Sequence, residues 1–521
     1  MNWSAIDHGL PNLLLVYAVT GTPMLAGLLY QRASWHRILT APLMAAPVTA
    51  VALAAWIALR AAWAAHGTVP TGHELYWFAT IFLALCGAFA GILLGGKRPN
   101  ATHERGTLIE DGRRTRVRSG SVSLAGVPIP PMDETKHFKL IGTTGTGKST
   151  AIREILSGAL ARGDRVIIAD PDAGYLNRFY DSKAGDTILN PFDNRSSRWD
   201  PFAEIDQPYD VEQLARALIP DHDDADKTWR NYARTFLTAV IRQQWELGAR
   251  DPAMRNPREL FRLVSMAPAE ELKILVENTA AQPFLESGNE RMFGSLRSVA
   301  SAHLAALEHM PEQAAPALSI RQWVRAGQGT APSRALFLPY TANQASALRS
   351  TISAWMRLAI FEAMSGGERD QRLWFIVDEL DALGPIDGLK DALARLRKFG
   401  GRCVLGFQSI AQVSSTYGHG AAQTIVENCG NTLILRCSAS EQGGTAQFAS
   451  RLIGQRQVLR RQQSQTRQPD KWASSTTISE HRTLENAVLP SEIEQLPDLS
   501  GYLKFASSPS WQRVQIPLPR R

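Results

Sequence analysis

With 521 residues, 56 Lys and Arg against 49 Asp and Glu, and a net charge of +7, the chain is too long for one small domain. It is also too mildly basic to be read as a nucleic-acid binder from charge alone. Its 4 cysteines, Cys86, Cys403, Cys429 and Cys437, show no CxxC or zinc-ligand spacing, which excludes a disulfide scaffold and places most of the chain in a reducing compartment. The first 96 residues are rich in Ala, Leu, Val and Trp and carry almost no charge. Three apolar runs, 10–30, 39–59 and 76–95, have bilayer length. The first is interrupted by Thr20-Gly21-Thr22-Pro23 and the second holds Pro42 and Pro47, so either two or three crossings fit. Arg32 and Arg37 follow the first run, only Arg60 lies between the second and third, and Lys97 and Arg98 follow the last. The positive-inside rule then puts the N-terminus outside and everything after residue 98 in the cytoplasm. The first thirty residues lack the basic n-region of a cleaved signal peptide, and none is expected.

Residues 99–136 are polar and basic, with Arg113, Arg114, Arg116 and Arg118 close together. They read as a solvated β-hairpin linker or as a patch for anionic headgroups. Next, 137–142 is a short apolar run that breaks into Gly142, Thr143, Thr144, Gly145, Thr146, Gly147, Lys148, Ser149 and Thr150. This is the P-loop spacing at a strand-to-helix junction, where backbone N–H groups and the positive end of a helix converge on a polyphosphate. Lys148 would neutralise its oxygens, and Ser149 would ligate a bridging Mg²⁺. After that helix, 165–170 is an apolar run ending in Asp170, so strand, helix and strand form a βαβ unit of a parallel sheet.

From 205 to 313 the periodicity is helical throughout, at 211–219, 227–247, 257–265, 268–278 and 289–307, which reads as an all-α insertion. Strands resume at 334–339, and a helix follows over 344–364. The run 373–377 ends in Asp378 and Glu379, the form of a Walker B strand. Asp378 would hold the Mg²⁺ shell and Glu379 would polarise the attacking water. These acids lie 230 residues beyond Lys148 (378 minus 148), a distance the insertion accounts for. Residues 431–437 read as a further core strand. The stretch 454–477, with Arg456, Arg460, Arg461 and Arg467, reads as a solvated loop or as a strand-tracking basic segment, and the aromatic residues form no base-stacking platform visible in sequence.

The P-loop, the segment Ile376-Val-Asp-Glu-Leu380, the helix 389–399 and the strand 402–408 running into Ser409 together resemble the type IV coupling proteins of bacterial conjugation, the TraD/TrwB-like group. The likeness runs from the membrane segments to 496–505. It implies an α/β fold: a RecA-like P-loop NTPase core with an inserted all-α domain and an N-terminal helical transmembrane anchor. The segments are then 1–98 (anchor), 99–136 (linker), 137–204 (first part of the nucleotide-binding domain), 205–313 (all-α insertion) and 314–521 (second part). It also implies a homo-hexameric ATPase with ATP and Mg²⁺ as cofactors, set in the inner membrane. Such a protein moves DNA, single-stranded or double-stranded, together with its relaxase toward a type IV secretion channel. By the same match Arg397 falls where an arginine finger reaches a neighbouring subunit, and Gln408 where a γ-phosphate-sensing glutamine stands. Without the match, Lys390, Arg395, Arg397 and Lys398 are the solvated face of a helix, and Gln408 is a polar strand end. A double-strand chromosome translocase and a nucleotide-switched docking receptor remain as rival readings.

Overall fold

The computed structural model describes residues 4–30, 35–65, 73–95, 101–112, 120–221, 226–310, 317–326, 334–367, 371–440, 444–466 and 475–518. Arg32, Lys97, Arg98, the arginines at 113, 114, 116 and 118, and Arg467 lie outside them. The chain divides into two compact units, 1–104 with 458–483, and 105–457 with 484–521.

The first unit holds the apolar helices Ser4–Tyr30, Ala41–Ala65 and His73–Gly95. Among the described residues, Ala41–Ala65 and Trp77–Leu94 are long and apolar enough to cross a membrane, while Leu15–Tyr30 is a shorter apolar stretch. The first helix nevertheless packs on the third, and small residues make that contact. A Cβ on Gly87 would drive into the carbonyl of Thr20, and one on Gly91 into that of Met24. Gly87 and Gly91 stand one turn apart, so the two backbones meet along a small-xxx-small seam, the arrangement that associates helices where no hydrophobic driving force acts between them. Thr20 and Thr49 hydroxyls pair at 2.7 Å, joining the first helix to the second. Arg37 donates to the carbonyl of Leu94 at 2.8 Å, satisfying one of the orphan carbonyls at the end of the third.

The second unit is built on a sheet whose strands are β1 (Ile109–Asp111), β2 (Phe138–Ile141), β3 (Arg165–Pro171), β4 (Thr187–Ile188), β5 (Ala335–Tyr340), β6 (Leu373–Val377), β7 (Gly401–Phe407), β8 (Asn431–Ile434), β9 (Ser500–Lys504) and β10 (Trp511–Gln515). Their spatial order is β1-β10-β9-β8-β2-β7-β6-β3-β5-β4. From β8 to β4 every neighbouring pair is parallel, β9 and β10 add two antiparallel pairings, and β1 forms the edge, parallel to β10. Both faces are covered, which is why these strands read as continuous apolar runs. Phe138, Leu140, Val166, Ile168, Trp374, Ile376 and Val404 face the P-loop helix Lys148–Arg162, through its Ile152, Ile155, Leu156 and Ala159. Ile167, Phe375, Val377, Cys403 and Leu405 face the opposite core, which also contains the helices Ala345–Ala363, Asp210–Leu218 and Lys227–Leu247.

The helical stretch observed comprises Asp210–Leu218, Lys227–Leu247, Pro257–Ser265, Ala269–Leu275 and Glu290–Leu304. Of the 454–477 stretch, 467–474 lie outside the described residues, and the rest differs from a loop: Gln455–Thr466 and Ser475–Asn486 are strands that pair with each other, and Ala101–Gly106 adds a third. Its polarity misled because such a ribbon takes its stability from ladder hydrogen bonds and cross-strand side-chain pairs, with little burial. The Arg456–Glu485 contact at 3.0 Å is one such pair.

His137, at the start of β2, is fully buried and holds two elements together. Its Nδ1 accepts from the Cys403 N–H at 3.1 Å, so Nε2 carries the proton and donates to the Leu393 carbonyl at 2.9 Å. Burial pushes its pKa down to about 4. The folded state therefore binds fewer protons than the unfolded one between about pH 4 and 6.5. The stabilisation is fully present above about pH 6.5 and is lost as the pH falls toward about 4, where it has cost on the order of 3 kcal/mol. The unfolding midpoint of the detergent-solubilised wild type, compared with His137→Gln, should show a gap that narrows from about pH 7.5 to about pH 5; a gap that stays constant would contradict this protonation argument.

Candidate functional site: a phosphate loop facing paired carboxylates

The loop after β2 curls because Gly145 and Gly147 take left-handed backbone conformations that other residues adopt only at a cost. At Gly147 φ is +115°, and a Cβ there would sit 2.8 Å from Leu499. Thr143 N–H donates to the Arg436 carbonyl at 2.9 Å, Thr146 Oγ donates to the Thr143 carbonyl at 2.8 Å, and the Thr146 carbonyl accepts from Leu499 N–H at 2.9 Å. Thr143, Thr144, Gly145, Gly147, Lys148, Ser149 and Thr150 line a cavity of 340 Å³. Gly142 and Thr146 shape the loop from behind it, with Thr146 itself buried. Unused N–H groups at the start of the P-loop helix and the Lys148 ammonium make the cavity an anion site.

Sheet order brings the rest of the site here. β7 lies between β2 and β6, so the residue that ends it, Gln408, falls between the phosphate loop and the carboxylates that end β6. Gln408 Oε1 accepts from Thr144 Oγ at 2.9 Å, and its Nε2 donates to Glu379. The crossing is close. A Cβ on Gly406 would strike the Asp378 carbonyl, while Leu380 N–H donates to the Gly406 carbonyl at 2.9 Å. Ser149 Oγ donates to Asp378 Oδ2 at 2.7 Å. Burial raises the Glu379 pKa, with Lys148 and the Gln408 hydrogen bond acting in the opposite direction. Burial likewise lowers that of Lys148, with Asp378 and Glu379 holding its charge in place.

A divalent cation fits this donor set. Ser149 spends its proton on Asp378 and keeps its oxygen lone pairs free, while Asp378 Oδ1 is buried with no hydrogen-bond partner. Hard oxygen ligands of this kind suit Mg²⁺. Among the described residues no group of three or more His, Cys, Asp or Glu gathers to bind a metal, so such an ion would be held chiefly by phosphate oxygens and water.

Two kinds of residue depart from this picture. Arg397 is absent from the cavity: it lies, exposed, in the turn Arg397–Phe399 that precedes β7, at the end of the strand opposite Gln408. Tyr175, Arg153 and Asp172 line the cavity without having been singled out in sequence. Tyr175 OH donates to Asp378 Oδ2 at 2.7 Å. Asp170, at the end of β3, accepts from the N–H groups of Tyr175 at 3.0 Å and Leu176 at 2.7 Å, and burial lifts its pKa to about 6. The available signal was an acid ending a strand of the same sheet, level with Asp378. Away from the cavity, Trp229 and Tyr232 stand 36% and 37% exposed with ring centroids 6.2 Å apart, and Phe284 lies 5.5 Å from Tyr232. Arg234 and Arg242 of the same helix line a separate hollow with Arg216, Glu212 and Asp221, and Asp221 pairs with both Arg216 and Arg234.

The strand order and the site define a P-loop NTPase of the RecA-like kind, with a helical insertion between its phosphate loop and its carboxylate strand. More narrowly, the chain belongs to the family described as the type IV secretion-system coupling protein DNA-binding domain, whose model matches residues 121–517. It is 30% identical over 399 residues to coupling protein TraD of Escherichia coli (strain K12), covering 76% of this chain and 54% of that protein. The chain thus spans about half the length of that curated relative. Two solved structures of the plasmid coupling protein TrwB are similar at 32% identity. One, in complex with the non-hydrolysable ATP analogue ADPNP, covers 82% of this chain and 96% of that one with a TM-score of 0.70. The other, in complex with ADP and Mg²⁺, covers 80% and 94% with a TM-score of 0.69.

Lys148→Ala removes the one ammonium in the anion cradle. Binding of a fluorescent nucleoside triphosphate, measured by anisotropy, should weaken at least about tenfold, in line with the loss of a charge-assisted hydrogen bond; unchanged binding would show that the cavity holds something else.

Proposed function

We propose that this chain is a membrane-anchored, ATP-driven DNA translocase that acts as a conjugative coupling protein, linking a relaxase–single-stranded DNA complex to a type IV secretion channel. The observation that carries this reading is the convergence of Lys148, Ser149, Asp378, Glu379 and Gln408 on one cavity. The similar structures support the ligand, since TrwB is solved with ADPNP and with ADP and Mg²⁺. The apolar helices support an anchor in the bacterial inner membrane, with 205–313 as the inserted domain of a cytoplasmic ATPase.

In this mechanism the loop N–H groups and Lys148 bind the β- and γ-phosphates of ATP, and Ser149 with Asp378 orients the nucleotide's cation. Mg²⁺, when bound, neutralises charge that develops on the phosphate oxygens. Glu379, partly buried and held by Gln408, positions and polarises the attacking water. Gln408 also accepts from Thr144 of the loop, so loss of the γ-phosphate would reach Glu379 through a single amide. Arg397, remote from its own subunit's cavity, is available to the site of a neighbour in a ring of six. For DNA, the partly exposed Trp229 and Tyr232 offer stacking surfaces that read no bases.

Glu379→Gln should bind ATP as tightly as wild type and hydrolyse it at least about a hundredfold more slowly in single-turnover kinetics; weakened binding at a normal rate would contradict the role given to Glu379. Rings mixed from wild type and Arg397→Ala should lose ATPase activity out of proportion to the mutant fraction, because each variant subunit silences a neighbour's site. A linear loss would return Arg397 to the solvated helix face. Hydrolysis stimulated by single-stranded DNA supports the proposed substrate, whereas stimulation by duplex alone would point to a double-strand translocase.

A further inference from the structure

The turn between β3 and Tyr175 is strained in a way that the phosphate loop does not require. Asp172 and Ala173 are consecutive non-glycine residues with φ of +57° and +54°, a left-handed conformation that costs energy for each. Strain of this kind persists only where surrounding contacts over-determine it. Here those contacts are clear. The Asp170 carboxylate accepts from the Tyr175 and Leu176 N–H groups, and the Arg153 guanidinium lies 5.8 Å from the centre of the Tyr175 ring. The ring is 2% exposed, so its hydroxyl has one fixed direction, and that direction ends on Asp378 Oδ2 at 2.7 Å.

Asp378 Oδ2 thereby accepts twice, from Tyr175 and from Ser149, which is the capacity of one carboxylate oxygen. The carboxylate can no longer rotate, and Oδ1 is left buried and unpartnered. We propose that Tyr175 is a positioning residue for the metal site: by holding Oδ2 it turns Oδ1 of Asp378 toward the water shell of a nucleotide-bound Mg²⁺. This inference rests on the reading of the cavity as an Mg²⁺–nucleotide site. Outer-shell partners of a ligating carboxylate set the affinity for the metal without touching it, and losing one costs about 10- to 100-fold.

The test uses the full-length protein in detergent with Glu379→Gln to prevent turnover, a fluorescent ATP analogue as probe, and a titration of free Mg²⁺. Tyr175→Phe keeps the ring and removes only the hydroxyl. The Mg²⁺ midpoint should rise roughly tenfold, while affinity for the analogue in EDTA changes by less than about twofold. Since Tyr175 acts through Asp378, adding Tyr175→Phe to Asp378→Asn should produce no further shift. The proposal is overturned if the Tyr175→Phe midpoint stays within about twofold of the parent, or if the same shift recurs on the Asp378→Asn background. A parent protein that binds the analogue equally with Mg²⁺ and with EDTA would overturn the reading of the cavity itself, a result distinct from a failure of Tyr175 alone.

Discussion

The hydrogen bond from Ser149 to Asp378 joins residues 229 positions apart at 2.7 Å, and it closes the site by bringing the phosphate loop onto the carboxylates. Neither residue has a local reason to meet the other. The meeting is imposed by the sheet, in which β7 separates the strand that feeds the phosphate loop from the strand that ends in the carboxylates. One intervening strand leaves room for a polyphosphate, and its final residue, Gln408, fills the gap from the side. The requirement reaches back into the strand itself. Position 406 must be glycine because the Asp378 carbonyl occupies the space of a Cβ.

What was legible in the sequence was what local physics enforces. The phosphate loop is specified by glycines at fixed offsets, β6 by five apolar residues before two acids, and the helices of 205–313 by their periodicity, so each could be placed before any contact was known. Features that depend on distant partners were not legible. Tyr175 looks like a core aromatic, and only the third dimension puts its hydroxyl on Asp378. Trp229 and Tyr232 stand three residues apart on one helix, but Phe284, which completes their cluster, lies 52 residues further along the chain (284 minus 232). The paired strands at 455–466 and 475–486 lack an apolar face, so their pattern could not be told from a loop. The seam at Gly87 and Gly91 was readable in principle, as two glycines four apart in an apolar run, and it explains why the first helix packs on the third.

Residues whose work lies outside one chain remain the least defined by it. Arg397 is exposed and far from its own cavity, as both a finger for a neighbour and a solvated surface charge would be. The contrast with Tyr175 is instructive, because that residue's role is written entirely in intramolecular contacts and needs no assembly to express it.

The central claim is that ATP hydrolysis at this cavity is converted into movement along DNA. It is tested most directly by following individual full-length assemblies in membrane nanodiscs on stretched single-stranded DNA. Directional, ATP-dependent movement that stops with a non-hydrolysable analogue is expected. Steady hydrolysis without any displacement would contradict it and leave the protein as a nucleotide-switched docking receptor.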